Sequence, residues 1–322
     1  MEWDPTQFFR EDIPTTPLFA LVVTNQPLNE KALSVLRRHA RIIVCADGGA
    51  NRFFEWAKSR GEESTDIPNT IIGDLDSIRP EVRSHYANLG VTIIEDDDQY
   101  STDLTKSLRY LREHEKEIAL SSSLALSSTQ QDSKPALENQ EHHEPLSTLI
   151  LGGLGGRVDQ AFSQIHHLYL MNQENSNHAS EKGENGRTAG TMYLISEESI
   201  TFILQPGKNT IHVPRTNIPS TTSPSSQTPT QPQPQLQLQK QDQNQNQTHP
   251  YLLEENIGII PLTGTDYLTT SGFEWDVENW KTEIGGLLST SNHIRAETVT
   301  VETRGPVLFT VELAVGLKRG VH

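Results

Sequence analysis

The sequence predicts an N-terminal α/β region built on a parallel sheet, followed by a C-terminal antiparallel β-sandwich. Between residues 18 and 111, short apolar runs alternate with segments whose apolar residues recur at helical spacing. Strands and helices in this alternation form parallel sheets with right-handed crossovers. After residue 190 the pattern changes to short strands separated by glycine and proline, which is typical of a sandwich. A length of 322 residues accommodates two domains of ordinary size.

The elements of the N-terminal region follow one another along the chain. The pattern predicts strands at 18–23, 41–46, 70–72, 91–94 and 149–151, with helices at 29–38 and 51–58, from Pro80, and after Ser101. Pro80 suits the first turn of its helix, and Ser101 or Thr102 would cap the next. A parallel sheet with helices on both faces is a Rossmann-like, three-layer arrangement.

The β region begins with a predicted hairpin, in which runs 191–195 and 200–204 flank a polar turn. A second turn is expected at 205–208. Further strands are expected near 257–261, 267–269, 298–302 and 307–313.

Three polar segments interrupt these patterns, and the first and third are predicted to be disordered. They cover residues 121–147, 172–190 and 215–250. We therefore expect one domain at 1–171 with the first insert, a polar linker at 172–190, and a second domain at 191–322 with the last insert.

The composition limits the partners and the compartment. A formal net charge of −16 lacks the basic surface that nucleic-acid binding requires, so no nucleic-acid partner is expected. The single cysteine, Cys45, lies in an apolar run and is interpreted as a core residue. It fits a reducing compartment, and a cytoplasmic location is expected. No apolar run is long enough to cross a membrane, and the N-terminus lacks a secretory pattern.

An Asp-x-Asp sequence, Asp74-Leu75-Asp76, follows Gly73 at the end of a predicted strand. In an extended chain the two carboxylates would point the same way, which is costly unless a cation lies between them. Mg²⁺ takes such oxygen ligands together with phosphate oxygens. The alternative interpretation is a solvated acidic turn. The position favours a site, because open α/β sheets bind ligands at the carboxyl ends of their strands.

Two later segments could complete such a site. Asp103 could join the acidic cluster, or it could simply lie in the first turn of its helix, where the helix dipole favours an anion. Lys106 could reach a phosphate or be a solvated surface lysine. The run after strand 149–151, Gly152-Gly153-Leu154-Gly155-Gly156, would free backbone N–H groups to bind phosphate. It lacks the third glycine of a dinucleotide fingerprint and the Gly-Lys-Ser/Thr ending of a Walker loop.

Residues of the glycine loop and of the β region also have two interpretations each. Arg157 could contact phosphate. Asp159 could bind metal or a substrate hydroxyl, or act as a first-turn carboxylate. Trp275 could stack on a flat ligand or pack in a core. The hydroxyl-rich runs 269–271 and 289–292 could line a polar pocket or form turns.

Taken in order, these motifs resemble the thiamine pyrophosphokinase family across nearly all of the chain outside the inserts. The segments that carry the resemblance are 45–52, 73–77, 98–103, 152–160, 205–208 and 289–292. The resemblance implies an ATP- and Mg²⁺-binding α/β domain and a thiamine-binding β-sandwich. It also implies a homodimer with active sites between subunits, and transfer of pyrophosphate from ATP to the thiamine hydroxyl with release of AMP.

The resemblance further implies a set of site residues. Asp74, Asp76 and Asp103 would hold Mg²⁺ on the ATP phosphates and support catalysis, with Asp47 beside them. Nucleotide, phosphate and substrate contacts would come from Gln99, Thr102, Gly153, Arg157 and Asp159. The thiamine contacts would be Ser271, Trp275, Ser289 and Asn292.

Two other functions remain open on the sequence. One is a different Mg²⁺-dependent pyrophosphoryl or nucleotidyl transferase, which substrate competition would distinguish. The other is a catalytically silent nucleotide-binding scaffold, which the long polar inserts favour and the complete set of acidic residues opposes.

Overall fold

The computed structural model describes residues 1–13, 17–120, 145–182, 190–219 and 251–319, with the backbone alone over 174–182. The strands are β1 (Glu2–Trp3), β2 (Phe19–Val23), β3 (Ile42–Ala46), β4 (Thr70–Gly73), β5 (Thr92–Glu95), β6 (Ser147–Leu151), β7 (Met192–Ile195), β8 (Ser199–Leu204), β9 (Gly207–His212), β10 (Leu253–Pro261), β11 (Asp266–Ser271), β12 (Trp280–Thr282), β13 (Ser289–His293), β14 (Thr298–Thr303) and β15 (Val307–Leu313). The helices are α1 (Glu30–His39), α2 (Gly49–Ser59), α3 (Pro80–Asn88), α4 (Asp103–Glu113), α5 (Glu115–Leu120) and α6 (Val158–Lys182), with a short 3-10 helix at Gln7–Phe9.

A mixed ten-stranded sheet runs through the described part of the chain in the order β13-β10-β15-β8-β7-β6-β2-β3-β4-β5. Neighbouring strands from β7 to β5 pair in parallel. The chain winds from β2 towards β5 and then crosses back to place β6 on the other side of β2. This reversal opens a crevice at the carboxyl ends of the parallel strands, where such sheets bind ligands.

Helices cover both faces of the parallel strands, which gives the three predicted layers. Alternate strand residues point to opposite faces, so Leu21 joins one core cluster and Val22 the other. The first cluster contains buried side chains of α1, α2 and α3, and the second contains those of α4, α5 and α6. Phe53 of α2 and Leu108 of α4 are examples from the two sides.

The remaining strands form the predicted sandwich. A five-stranded sheet, β1-β9-β14-β11-β12, faces the antiparallel end of the ten-stranded sheet. Its buried residues, including Ile211 and Val301, share a core cluster with Phe202 and Phe309 of the larger sheet. The N-terminal residues take part through β1, which pairs in parallel with β9; the sequence pattern had not indicated this strand.

Several predicted boundaries differ from the structure. The hairpin of β7 and β8 is confirmed, but β7 also pairs in parallel with β6, so it extends the α/β sheet. Helix α6 continues into the predicted linker, as far as Lys182. Ser147 begins a strand, and Thr216 forms a bridge to Leu253, so these ends of the predicted inserts belong to ordered structure.

Residues 121–144, 183–189 and 220–250, the remaining parts of the three predicted inserts, lie outside the described residues. The division into domains at residues 171 and 191 stays a prediction. Among the helices that the structure describes, none combines the length and apolar character needed to span a lipid bilayer.

Candidate active site

Three carboxylates converge at the carboxyl end of the parallel strands. Asp47 follows β3, Asp74 follows β4, and Asp103 is the first residue of α4. One oxygen from each lies within 4.8 Å of the others. Asp47 is buried, and the other two are partly exposed. The arrangement therefore offers hard oxygen ligands from three separate elements around one point, which fits Mg²⁺.

Glycine at position 73 allows this convergence. A Cβ on Gly73 would lie 2.5 Å from the Cβ of Asp47 and 3.0 Å from Oδ1 of Asp103. Asp47 itself has a positive φ of 40°, an uncommon conformation that aspartate tolerates better than most residues. Its two oxygens accept hydrogen bonds from the backbone N–H groups of Ser77 (3.0 Å) and Ile78 (3.1 Å). These bonds fix the carboxylate while leaving each oxygen a further lone pair.

Asp76 does not lie within this cluster, although the sequence suggested an extended Asp-x-Asp. Strand β4 ends at Gly73, and Leu75 has a φ of 60°, so the chain turns between the two aspartates. The N–H of Asp76 bonds to Asp74 Oδ1 at 3.3 Å, and the Asp76 carboxylate accepts from the Ser77 hydroxyl. The extended conformation considered from the sequence is therefore not adopted between Asp74 and Asp76. The role of Asp76 as a metal ligand stays a prediction.

Burial and mutual repulsion disfavour the charged forms in the cluster. Desolvation raises the pKa of Asp103 above its usual range, and the charge of Asp74 adds to this. Desolvation also raises the pKa of Asp47, with a further contribution from Asp103. A divalent cation would relieve both effects, because it favours the charged carboxylates.

Lys106 points into the protein, in contrast to both sequence interpretations. Its side chain is 1% exposed. The Nζ atom donates to the backbone oxygen of Asp96 at 2.7 Å and lies 3.5 Å from Asp103 Oδ1. The carboxylates of Asp96 and Asp98 instead face Arg109, at 2.6 and 3.6 Å.

Thr102 is the N-cap of α4, as predicted. Its Oγ1 accepts a hydrogen bond from the N–H of Thr105 (3.2 Å). The Thr105 hydroxyl in turn contacts His167 Nε2 on α6 at 3.0 Å, which joins the two helices. Burial lowers the pKa of His167. Gln99 is exposed in the preceding loop, close along the chain to the acidic cluster.

The glycine loop follows β6 and leads into α6. Gly152 and Gly156 have positive φ angles of 85° and 72°, which favour glycine. A Cβ on Gly156 would lie 2.1 Å from Gln26 Oε1. The hydroxyl of Thr24 donates to the backbone oxygens of Leu151 and Gly152. The segment after β2 therefore shapes this loop from the other side of the crevice.

Arg157 and Asp159 pair with each other at the start of α6. Their closest atoms are 2.5 Å apart, and the side chains are 75% and 59% exposed. The Arg157 guanidinium lowers the pKa of Asp159. Both side chains are thus accessible to a ligand at the loop, but they would have to exchange this mutual contact for it.

The β region contains a cavity of about 340 Å³ that combines aromatic and polar walls. It is lined by Ile259, Leu268, Thr270, Trp275, Val277, Trp280, Leu288, Ser289, Thr290, Ser291 and Asn292. Trp275 is 54% exposed, and its ring centroid lies 5.1 Å from that of His293. This cavity could take a flat ligand with polar edges. Ser271, at the end of β11, is exposed and is not part of its wall.

A second opening adjoins the first at Thr290, which lines both. It has a volume of about 450 Å³ and includes Gly153 and Gly155 of the glycine loop. Thr290 therefore borders both the opening at the glycine loop and the tryptophan-lined cavity.

Asn292 supports the cavity wall from within. Its Oδ1 accepts from the N–H of Trp275 (3.1 Å), and its Nδ2 donates to the Trp275 carbonyl (2.9 Å). Oδ1 also accepts from the N–H of His293 (2.8 Å). Asn292 is 6% exposed, and these three hydrogen bonds are all to backbone groups.

Sequence reasoning missed the segment Thr24-Asn25-Gln26. Asn25 accepts from Arg52 Nε at 3.2 Å, and Gln26 packs against the glycine loop. The available signal was position, because these residues follow the carboxyl end of a predicted strand at the sheet centre.

Two family models match this chain. The thiamin pyrophosphokinase catalytic domain matches residues 33–179, and the thiamin pyrophosphokinase vitamin B1 binding domain matches residues 238–308. Together they cover more than half of the chain. The chain belongs to the thiamine pyrophosphokinase family.

Individual relatives agree with this assignment over most of their length. Thiamine pyrophosphokinase 3 of Oryza sativa subsp. japonica is 29% identical over 311 residues, covering 92% of this chain and 87% of the relative. Thiamine pyrophosphokinase of Saccharomyces cerevisiae is 28% identical over 293 residues, covering 84% of this chain and 77% of the relative. The solved structure of thiamin pyrophosphokinase from Candida albicans superposes with a TM-score of 0.68 at 25% identity, covering 97% of this chain and 93% of that one.

Proposed function

We propose that this chain is a thiamine pyrophosphokinase, which transfers the pyrophosphate group of ATP to the hydroxyl of thiamine and releases AMP. The observation that carries the proposal is the carboxylate cluster of Asp47, Asp74 and Asp103 at the sheet crevice. It occurs in a chain matched by both the catalytic and the vitamin B1 binding models.

The cluster fits Mg²⁺ because its donors are carboxylate oxygens within 4.8 Å of one another, and their burial makes an uncompensated charge costly. In this proposal Asp74, Asp76 and Asp103 would hold the ion, with Asp47 beside them. When bound, Mg²⁺ neutralises charge on the phosphates.

The remaining chemistry is mainly positioning, as in other phosphoryl transfers. The thiamine oxygen attacks the β-phosphorus in line while the bond to the AMP oxygen breaks. Asp74 or Asp103 accepts the hydroxyl proton. Gln99 and Thr102 contact the nucleotide or substrate, and Gly153, Arg157 and Asp159 surround the phosphates and thiamine.

Thiamine binds in the β region in this proposal. Trp275 supplies an aromatic face, and Ser289 supplies a hydroxyl. Asn292 supports the loop between β11 and β12 that carries Trp275, here called the tryptophan loop. Ser271 lies at the rim. Thiamine is a cation, and a chain with a net charge of −16 attracts it electrostatically.

The proposal includes a homodimer whose active sites lie between subunits. Exposed apolar side chains near both parts of the site support it. Val158 and Phe162 of α6 are 71% and 67% exposed, and Ile284, before β13, is 72% exposed. Pairing two chains would cover such surface. A cytoplasmic location is also part of the proposal, supported by the single buried Cys45.

The deciding experiment measures AMP released from ATP and Mg²⁺ with and without thiamine. AMP and thiamine diphosphate formed only with thiamine are expected. AMP formed with another alcohol would favour a different transferase, and ATP binding without AMP release would favour the silent scaffold. Asp74→Asn should abolish turnover without changing the circular dichroism spectrum. Near-normal turnover in this variant would contradict the metal assignment.

A further inference from the structure

Lys106 is the buried cation of the site. Among the described residues it is the one lysine or arginine whose side chain and backbone are almost entirely enclosed, at 2% exposure. A lysine that reaches for phosphate would extend into the crevice. This side chain instead turns back towards β5 and ends between a backbone oxygen of Asp96 and the carboxylate of Asp103.

Enclosing an ammonium group is energetically unfavourable unless nearby groups compensate its charge and its donors. The hydrogen bond to the Asp96 oxygen, at 2.7 Å, supplies one partner. The Asp103 carboxylate, at 3.5 Å, supplies the opposite charge. Because Asp103 also belongs to the three-carboxylate cluster, the charge of Lys106 acts on the whole cluster.

The same contacts connect the strand ends that carry the cluster. The N–H of Asp96 donates to the oxygen of Gly73 at 2.8 Å, so the ends of β4 and β5 are joined there. Lys106 holds the Asp96 oxygen and Asp103 together. It thus connects the start of α4 with the strand end that precedes Asp74.

We propose that Lys106 is a positioning residue that sets the charge of the carboxylate cluster to that of a single divalent cation. With the three carboxylates ionised, the cluster carries three negative charges, and the ammonium reduces this to two. The inference rests on the proposed function, in which the cluster holds Mg²⁺. It explains why a lysine lies behind the carboxylates, where it does not touch substrate.

Charge matching has a measurable signature that a purely structural lysine would lack. The ammonium repels a trivalent ion more strongly than a divalent one, because the interaction scales with the ion's charge. Neutralising position 106 should therefore raise the ratio of Tb³⁺ to Mn²⁺ association constants. A general loosening of the site would weaken both ions and leave their ratio unchanged.

The experiment titrates the full-length protein with Mn²⁺ and with Tb³⁺ by calorimetry, without ATP or thiamine. Lys106→Met removes charge and donors, whereas Lys106→Gln removes the charge and keeps a donor for the Asp96 oxygen. Both should raise the Tb³⁺ to Mn²⁺ ratio about tenfold. Lys106→Arg should keep the wild-type ratio, as should the control Ser107→Ala, which loses a bond to the Asp103 backbone oxygen but not to its carboxylate.

An unchanged ratio in either folded neutral variant would overturn the inference. Wild-type stoichiometry tests it independently of how those variants fold. The wild type is expected to bind one Mn²⁺ per chain that Asp103→Asn does not bind. Two such ions per chain, or none, would contradict the charge match. AMP release by the wild type is measured separately, so failure of the proposed reaction and failure of this inference give different results.

Discussion

At the scale of single residues, the site depends on carboxylates that the fold holds in unfavourable surroundings. Asp47 and Asp103 have raised pKa values, mainly because they are desolvated, and partly because other carboxylates are close. Such an arrangement lowers the stability of the metal-free protein at neutral pH. It is retained, on our proposal, because a bound cation makes the same charges favourable.

This conflict predicts how Asp103→Asn changes stability with pH. A raised pKa means that the folded state binds a proton more readily than the unfolded state. The stabilising effect is complete below the usual pKa of about 3.8 and is lost as pH rises through the raised value. With EDTA present, the melting temperature of Asp103→Asn relative to wild type should therefore increase as the pH rises from the usual pKa through the raised one, by a few degrees.

Thermal unfolding at several pH values, followed by circular dichroism, checks this prediction. Added Mg²⁺ should stabilise the wild type and have little effect on the variant. A difference in melting temperature that stays constant with pH would show that Asp103 titrates normally in the folded protein.

Asn292 gives a second prediction at this scale. Its amide pairs with the N–H and C=O of Trp275, so Asn292→Ala leaves partly buried backbone groups without these partners. We expect a loss of about 1–3 kcal/mol in the free energy of unfolding. The KM for thiamine should rise while the KM for ATP changes little, because the tryptophan loop loses its support.

Steady-state kinetics with each substrate varied in turn would test this expectation. Asn256→Ala is a matched control, since Asn256 lies on the neighbouring strand β10, is exposed, and bonds to a side chain, Glu312. Equal effects of the two variants on the KM for thiamine would contradict the role assigned to Asn292.

The residue scale also shows where sequence reasoning stops. The convergence of Asp74 and Asp103 could be expected, because Asp74 follows a predicted strand and Asp103 begins a predicted helix, both at the carboxyl end of the sheet. The approach of Asp47 to this pair could not be expected from spacing alone, because it depends on the positive φ of Asp47 and on two backbone bonds to its carboxylate. The turn between Asp74 and Asp76 depends likewise on the positive φ of Leu75. Those features arise only once the chain is packed.

At the scale of elements, the continuous apolar strands were predictable and the short polar ones were not. Strands β2 and β3 are buried along their whole length, which matches their apolar runs. Strand β13 is mostly polar and partly exposed, so its sequence suggested a pocket lining or a turn and not a strand. Pairing with β10 makes it a strand, and the paired residues are 30 or more positions apart in the chain.

Helix α1 illustrates how one side chain joins two elements. Asn29 caps the helix by accepting from the N–H of Ala32 at 3.1 Å. Its Nδ2 donates to the backbone oxygens of Ser196 and Glu197, both at 3.2 Å, in the β7–β8 turn. The residue is 1% exposed. The helix start and the hairpin turn therefore depend on the same amide.

Replacing Asn29 should separate these two contributions. Asn29→Ser keeps a capping oxygen but loses both donors, and should cost about 1–2 kcal/mol. Asn29→Ala loses the cap as well and should cost about 1 kcal/mol more. Urea denaturation measures both values. If the two variants were equally stable, the capping bond would contribute nothing to folding.

At the scale of the whole molecule, the ten-stranded sheet crosses the predicted domain boundary. Strand β7 pairs with β6 on one side and β8 on the other, so backbone hydrogen bonds run unbroken from the α/β region into the sandwich. One apolar cluster includes Leu21 and Phe53 together with Phe309 and Val301. Two regions that share a sheet and a core are not expected to unfold independently.

This continuity predicts a single cooperative unfolding transition. Trp56 on α2 reports on the α/β region, and Trp280 on β12 reports on the sandwich. In variants that retain only one of these tryptophans, fluorescence should give coincident urea transitions, matching circular dichroism.

A fragment ending at residue 171 lacks β7 and exposes the edge of β6, so it should aggregate instead of folding. Two separated transitions, or a soluble folded fragment, would mean that the two predicted domains unfold independently at the boundary expected from composition. The shared sheet would then contribute little to the coupling of unfolding between the nucleotide and thiamine regions.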